Sequence, residues 1–109
     1  MDCIFCKISS GEIQADKICE TDDVVCFHDV RPSAEIHALI VPKKHVESFL
    51  ALDDDALLGK MRRAAQQAIN DLNLAAGYRL VFNGGRYQHA PHLHWHLLGG
   101  ELKNRQLPE

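Results

Sequence analysis

The stretch from His89 to Gly100 reads His-Ala-Pro-His-Leu-His-Trp-His-Leu-Leu-Gly-Gly, and it constrains the chain more than any other. His92, His94 and His96 alternate with Leu93, Trp95 and Leu97. Side chains on a strand point alternately to opposite faces, so this pattern sets three imidazoles on one face and three apolar groups on the other. The apolar set is expected to turn into a core. Burying polar groups without partners is costly, and an imidazole titrates near neutral pH and serves as nucleophile, base, acid or metal ligand. The strand therefore reads as the chemical centre of the molecule.

The other segments supply a frame for it. Residues 17–20 and 24–28 read as strands parted by the turn residues Thr21, Asp22 and Asp23, and residues 37–41 as a strand opened by His37 and ended by Pro42. Residues 78–82 alternate again and lead into Asn83-Gly84-Gly85, while Gly99-Gly100 is expected to close the histidine strand. Residues 3–9 suit a short helix or turn. The convincing helix spans about residues 54–72, where Leu57, Met61, Ala64, Ala65, Ala68 and Leu72 make one apolar face. Asp53 or Asp54 can cap it, Asn73 and Gly77 bracket its exit, and the alanines predict close approach to a sheet. Lys60, Arg62 and Arg63 read as its solvated side. The expectation is one domain over residues 1–109, of α+β class: a five-stranded antiparallel sheet with one long helix and a short N-terminal helix, and a polar tail at 101–109.

Composition narrows the function. The 46% hydrophobic content fits a globular chain, and no run is long and apolar enough to span a bilayer. A net charge of −3 with scattered basic residues gives no support to a nucleic-acid groove. No secretory or transit segment is visible, so the expected location is cytoplasmic and the four cysteines are expected to be reduced. Cys3-x-x-Cys6 has the spacing of a metal-binding pair, a weak signal alone.

Two chemistries suit the histidine strand. In one, two same-face histidines and a third ligand hold a catalytic zinc with an open position. In the other, one histidine attacks phosphorus while its neighbours hold the phosphate oxygens. The sequence favours the second, because His37, Asn83 and the Gly84-Gly85 loop add donors while a carboxylate suited to a zinc-water mechanism is missing from the stretch.

The pattern from His92 to Leu98 resembles the His-x-His-x-His-x-x signature of the histidine triad family of nucleotide hydrolases and transferases. Phe27-His28-Asp29-Val30 with Pro32, His37 through Pro42 to His45, Gly77-Tyr78-Arg79 with Asn83, and Leu98-Gly99-Gly100 are similar to the family in the same order, most closely to its purine-nucleoside phosphoramidase branch. The resemblance implies that His94 attacks the α-phosphorus of a nucleoside 5′-phosphoramidate or related purine nucleotide. It makes His96 and His37 the holders of phosphate, with Asn83 and Gln88 at the same site. Asp29 then takes the ribose hydroxyls beside His28. Phe5, Ile13, Val30 and Leu39 match the walls of a base pocket and equally suit plain core. The resemblance further implies a structural zinc on Cys3, Cys6, His45 and His92, and a homodimer joined through the long helix and an adjoining strand.

The chain departs from that branch in the loop before the triad. His89 stands where the family has a serine that assists the leaving group, and reads either as a replacement acid or as a surface histidine. The tail also lacks the aromatic residues of similar proteins. Three readings follow: a phosphoramidate or dinucleoside-polyphosphate hydrolase, a nucleotide-binding or interaction module with little turnover, and a zinc hydrolase using the triad as ligands. An intact His94, His37 and His96 favour the first.

Overall fold

A computed structural model describes residues 3–103 and 108. In chain order they form α1 (Ile4–Ser9), β1 (Lys17–Glu20), β2 (Val24–His28), β3 (Ala34–Pro42), α2 (Asp55–Asp71), β4 (Arg79–Val81), a 3-10 turn at Gly85–Tyr87, and β5 (Trp95–Leu102). The five strands make one antiparallel sheet in the order β1-β2-β3-β5-β4, the expected α+β architecture. The last strand in the chain is therefore interior, hydrogen-bonded to β3 on one side and β4 on the other.

Alternation along the strands builds two apolar layers. Val24, Cys26, Ala38, Ile40, Leu93, Trp95 and Leu97 face α2, which answers with Leu57, Met61, Ala64, Ala65 and Ala68. The small alanines let the helix approach the sheet closely. Val25, Phe27, Leu39 and Val41 face the other way, onto Phe5 and Ile8 of α1. Asp54 caps α2, its Oδ1 accepting from the Leu57 backbone N–H at 3.1 Å. Beyond the helix the chain turns through Asn73 at φ 58°, in the left-handed region that asparagine tolerates.

Four expectations shift. β3 begins at Ala34, so His37 lies inside the strand rather than at its start. β4 is three residues long. The β5 ladder begins at Trp95, so His92 and His94 sit just ahead of it, with Leu93 N–H already donating to Val46 O at 2.7 Å. Gly99 and Gly100 do not close the strand, which continues to Leu102 and takes Glu101 and Leu102 from the expected tail. The reason is steric. A Cβ on Gly99 would collide with the Leu74 side chain, and Gly100, at φ 74°, lies against Glu35 where the β3–β5 register shifts. The glycines carry the strand through a bulge, and the Glu35 carboxylate accepts from Glu101 N–H at 2.8 Å. Residues 104–107 and 109 lie outside the described residues.

Met61 is fully buried between α2 and the sheet. Met61→Ala is expected to lower unfolding free energy by about 2–5 kcal/mol, and loss of the Asp54→Ala cap by about 1 kcal/mol. Denaturant midpoints equal to the parent's would contradict both.

Candidate active site

The three triad histidines are all buried on the α1 face of the sheet. Backbone carbonyls decide which ring nitrogen of two of them carries the proton. His94 Nδ1 lies 2.7 Å from the carbonyl oxygen of His92. A carbonyl can only accept, so Nδ1 holds the hydrogen and Nε2 keeps its lone pair. The same reasoning gives His92 a proton on Nε2, 2.8 Å from Pro42 O, and a lone pair on Nδ1. Phe5 packs against both rings, at 5.6 Å from His92 and 5.0 Å from His94 between centroids, and so limits their rotation.

A second chain of bonds fixes His37 and His96. The Ser33 backbone N–H donates to His37 Nδ1 at 2.9 Å, and His37 Nε2 lies 2.9 Å from His96 Nδ1. Burial pushes the His37 imidazole below its ordinary value, and the Asp29 carboxylate pulls it partly back. Neutral His37 therefore carries its hydrogen on Nε2, donates it to His96 Nδ1, and leaves His96 with its hydrogen on Nε2. Asp29 Oδ2 stands 3.4 Å from the same His37 Nε2, while its Oδ1 accepts from Arg31 N–H at 2.8 Å. Asp29, His37 and His96 are grouped closely enough to suggest a metal site. The proton on His37 Nε2 argues against it, because that nitrogen has no lone pair to give.

The other cluster has the opposite character. Cys3 Sγ and Cys6 Sγ lie 3.2 and 3.5 Å from the His92 Nδ1 lone pair, and His45 Nδ1 lies 3.3 Å from Cys6 Sγ. All four donor atoms fall within 4.8 Å of one another. Ligands at the usual zinc distances stand roughly 3.3–3.8 Å apart in a tetrahedron, so the four are placed to hold a metal ion. Burial pushes the Cys6 thiol up and the neighbouring Cys3 adds to this, so paired thiolates here call for a cation. Cys3 also begins α1, its sulfur accepting from Cys6 N–H at 3.4 Å. The Cys3–Cys6 pair brings the start of α1 against the segment that carries His92 and His94.

A pocket of about 460 Å³ opens between α1 and the β2–β3 side of the sheet. Phe5, Ile13, His28, Asp29, Val30 and Leu39, all singled out in the sequence, line it, and Val30 is 93% exposed. Ile4, Ile8, Gln14, Asp16 and Phe27 line it too and were not singled out. Phe27 and Leu39 are paired across β2 and β3, so strand parity would have found Phe27. The Ser33 N–H leaves no mark in side-chain chemistry. Asn83 Nδ2 donates to Pro108 O at 2.8 Å. Gln88 Nε2 donates to Glu47 O and Ala90 O at 2.7 and 2.9 Å, so this amide braces the loop ahead of the triad. His89 is exposed on that loop.

A five-stranded antiparallel sheet that buries alternating histidines beside an apolar pocket defines a histidine triad fold. The family model described as HIT domain matches residues 10–103, and the chain belongs to that family. It is 37% identical to Protein HitA of Neisseria gonorrhoeae over 102 residues, covering 90% of this chain and 95% of that protein. Among solved structures, a HIT family hydrolase from Legionella pneumophila superposes with a TM-score of 0.87 at 39% identity, covering 95% of this chain and 97% of the other. A histidine triad nucleotide-binding protein from Candida albicans gives 0.82 at 35% identity, over 88% and 73% of the two chains.

Proposed function

We propose that the protein is a nucleotidyl hydrolase that cleaves nucleoside 5′-phosphoramidates, or related purine nucleotides, at the α-phosphorus through a nucleotidyl-His94 intermediate. The observation that carries this reading is the 2.7 Å bond from His94 Nδ1–H to His92 O, which reserves the Nε2 lone pair for attack. The hydrolase and nucleotide-binding names of the Legionella and Candida structures support the class.

In this reading the base enters the pocket walled by Phe5, Ile8, Phe27 and Leu39, and the remaining lone pairs of Asp29 accept from ribose hydroxyls. The α-phosphate lies over His94, beside the His96 Nε2–H. His94 Nε2 bonds to phosphorus as the bond to the leaving nitrogen breaks. Water then displaces His94 and the nucleoside monophosphate departs. His94→Ala is expected to lower monophosphate release from adenosine 5′-phosphoramidate by at least about a thousandfold while equilibrium binding of AMP changes little. Unaltered single-turnover release in that variant would sink the assignment, and diadenosine polyphosphate in the same assay separates the two leaving-group classes.

Cys3, Cys6, His45 and His92 would hold a structural Zn²⁺, which when bound supplies a cross-link and takes no part in bond breaking. By fixing the His92 ring it would steady the carbonyl that orients His94. About one zinc per chain is expected after purification without added metal, falling to near zero in Cys3→Ser/Cys6→Ser together with a lower thermal midpoint. An equally loaded double variant would refute this ligand set.

The long helix and β4 suit a homodimer. A groove of about 520 Å³ between them is lined by Leu58, Ile69, Tyr78, Leu80 and Trp95. The buried Trp95 Nε1 has no hydrogen-bond acceptor among the described residues, and a second copy would offer one. Sedimentation at micromolar concentration is expected to give twice the chain mass, and a monomer there would contradict the pairing.

A further inference from the structure

The His37–His96 pair poses a proton problem. With one hydrogen between them the 2.9 Å contact is satisfied, but a second proton on His96 Nδ1 would set two N–H groups face to face. His37 cannot move its hydrogen to Nδ1, because Ser33 N–H already points there at 2.9 Å. Among the described residues the anion beside the pair is Asp29, whose Oδ2 lies 3.4 Å from His37 Nε2, and Asp29, His37 and His96 each bring a donor atom within 4.8 Å of the others. Among the described residues, the titratable groups facing the pair include Asp29, from the segment after β2, and His94 of the triad segment. Opposite His96, β3 presents Leu39 and β4 presents Val81, which do not titrate.

We propose that Asp29 is a positioning residue for acid–base catalysis, the acceptor that lets the His37–His96 pair take up the extra proton destined for the leaving group. This rests on the hydrolase reading and adds to the ribose contact of the same carboxylate. The bound phosphate draws the proton in, and Asp29 offsets its charge. As His94 Nε2 bonds to phosphorus, the phosphorus–nitrogen bond breaks and the departing nitrogen takes the proton from His96 Nε2. His96 is left neutral, with Nδ1–H directed to Asp29 and a lone pair on Nε2. The attacking water gives its proton to that lone pair, and the bond from phosphorus to His94 breaks with its electrons returning to His94. The pair ends as it began.

The test separates this role from ribose binding by removing the hydroxyls. On a 2′,3′-dideoxyadenosine 5′-phosphoramidate, Asp29→Asn is expected to move the alkaline limb of the kcat–pH profile about one unit toward acid and to lower kcat near pH 8 about tenfold. The direction follows because the acid must be protonated, and losing the carboxylate makes its proton easier to lose. Asp29→Glu is expected to restore part of the limb. An unmoved limb and parental kcat on the dideoxy substrate would overturn the proposal and leave Asp29 as a ribose ligand. If the parent releases no monophosphate from any phosphoramidate, the hydrolase reading fails instead. The relay is then read by NMR titration of the His37 and His96 imidazoles with AMP present, where Asp29→Asn lowers their midpoints by about one unit or the proposal is wrong. Circular dichroism of each variant checks that the fold is kept.

Discussion

A peptide carbonyl decides what His94 can do. The two nitrogens of an imidazole are chemically alike until something fixes the hydrogen, and here His92 O fixes it at 2.7 Å. The bond joins residues two apart, so it depends on the backbone of the triad segment holding its shape. That shape is held by sequence-distant contacts. Pro42 O takes the His92 ring, Val46 O takes Leu93 N–H, and Gln88 ties the preceding loop to Glu47 O. The cysteine cluster engages His92 Nδ1 from the other side. Together these contacts hold the segment around His92, and through its carbonyl the ring of His94.

The same accounting separates two clusters that distance alone makes alike. Both gather nitrogen with sulfur or oxygen donors within 4.8 Å. In the cysteine cluster a carbonyl holds the His92 proton on the far nitrogen and bares a lone pair. In the Asp29 cluster a backbone N–H occupies the far nitrogen of His37, and the proton faces inward. One cluster turns a lone pair inward and the other an N–H.

Strand parity made much of this legible in the sequence. The alternation of His92, His94 and His96 with Leu93, Trp95 and Leu97 predicted both faces of the triad segment, and the 3.6-residue spacing from Leu57 to Ala68 predicted the helix that covers one of them. The extent of β3 and β5 was not legible. Ala34 carries no strand signal, and Gly99-Gly100 reads as a stop until Leu74 and Glu35 are seen to occupy the space a side chain would need. The contact of Ser33 has no sequence signature because it is made by a main-chain N–H, and the Gln88 side-chain type suits a substrate group while its amide nitrogen donates to two loop carbonyls.

The position of β5 has a kinetic consequence. It is the last of the five strands in chain order, yet it fills the gap between β3 and β4, and His96 is flanked by Leu39 and Val81. The β3–β5 pairing spans a long loop that includes α2, and closing such a loop costs entropy before any contact repays it. A chain whose first three strands and helix have assembled still has His37 without His96. In any folding order that pairs β5 last, His37 and His96 meet only when that strand inserts, so the constellation is completed by a long-range pairing and not by local structure.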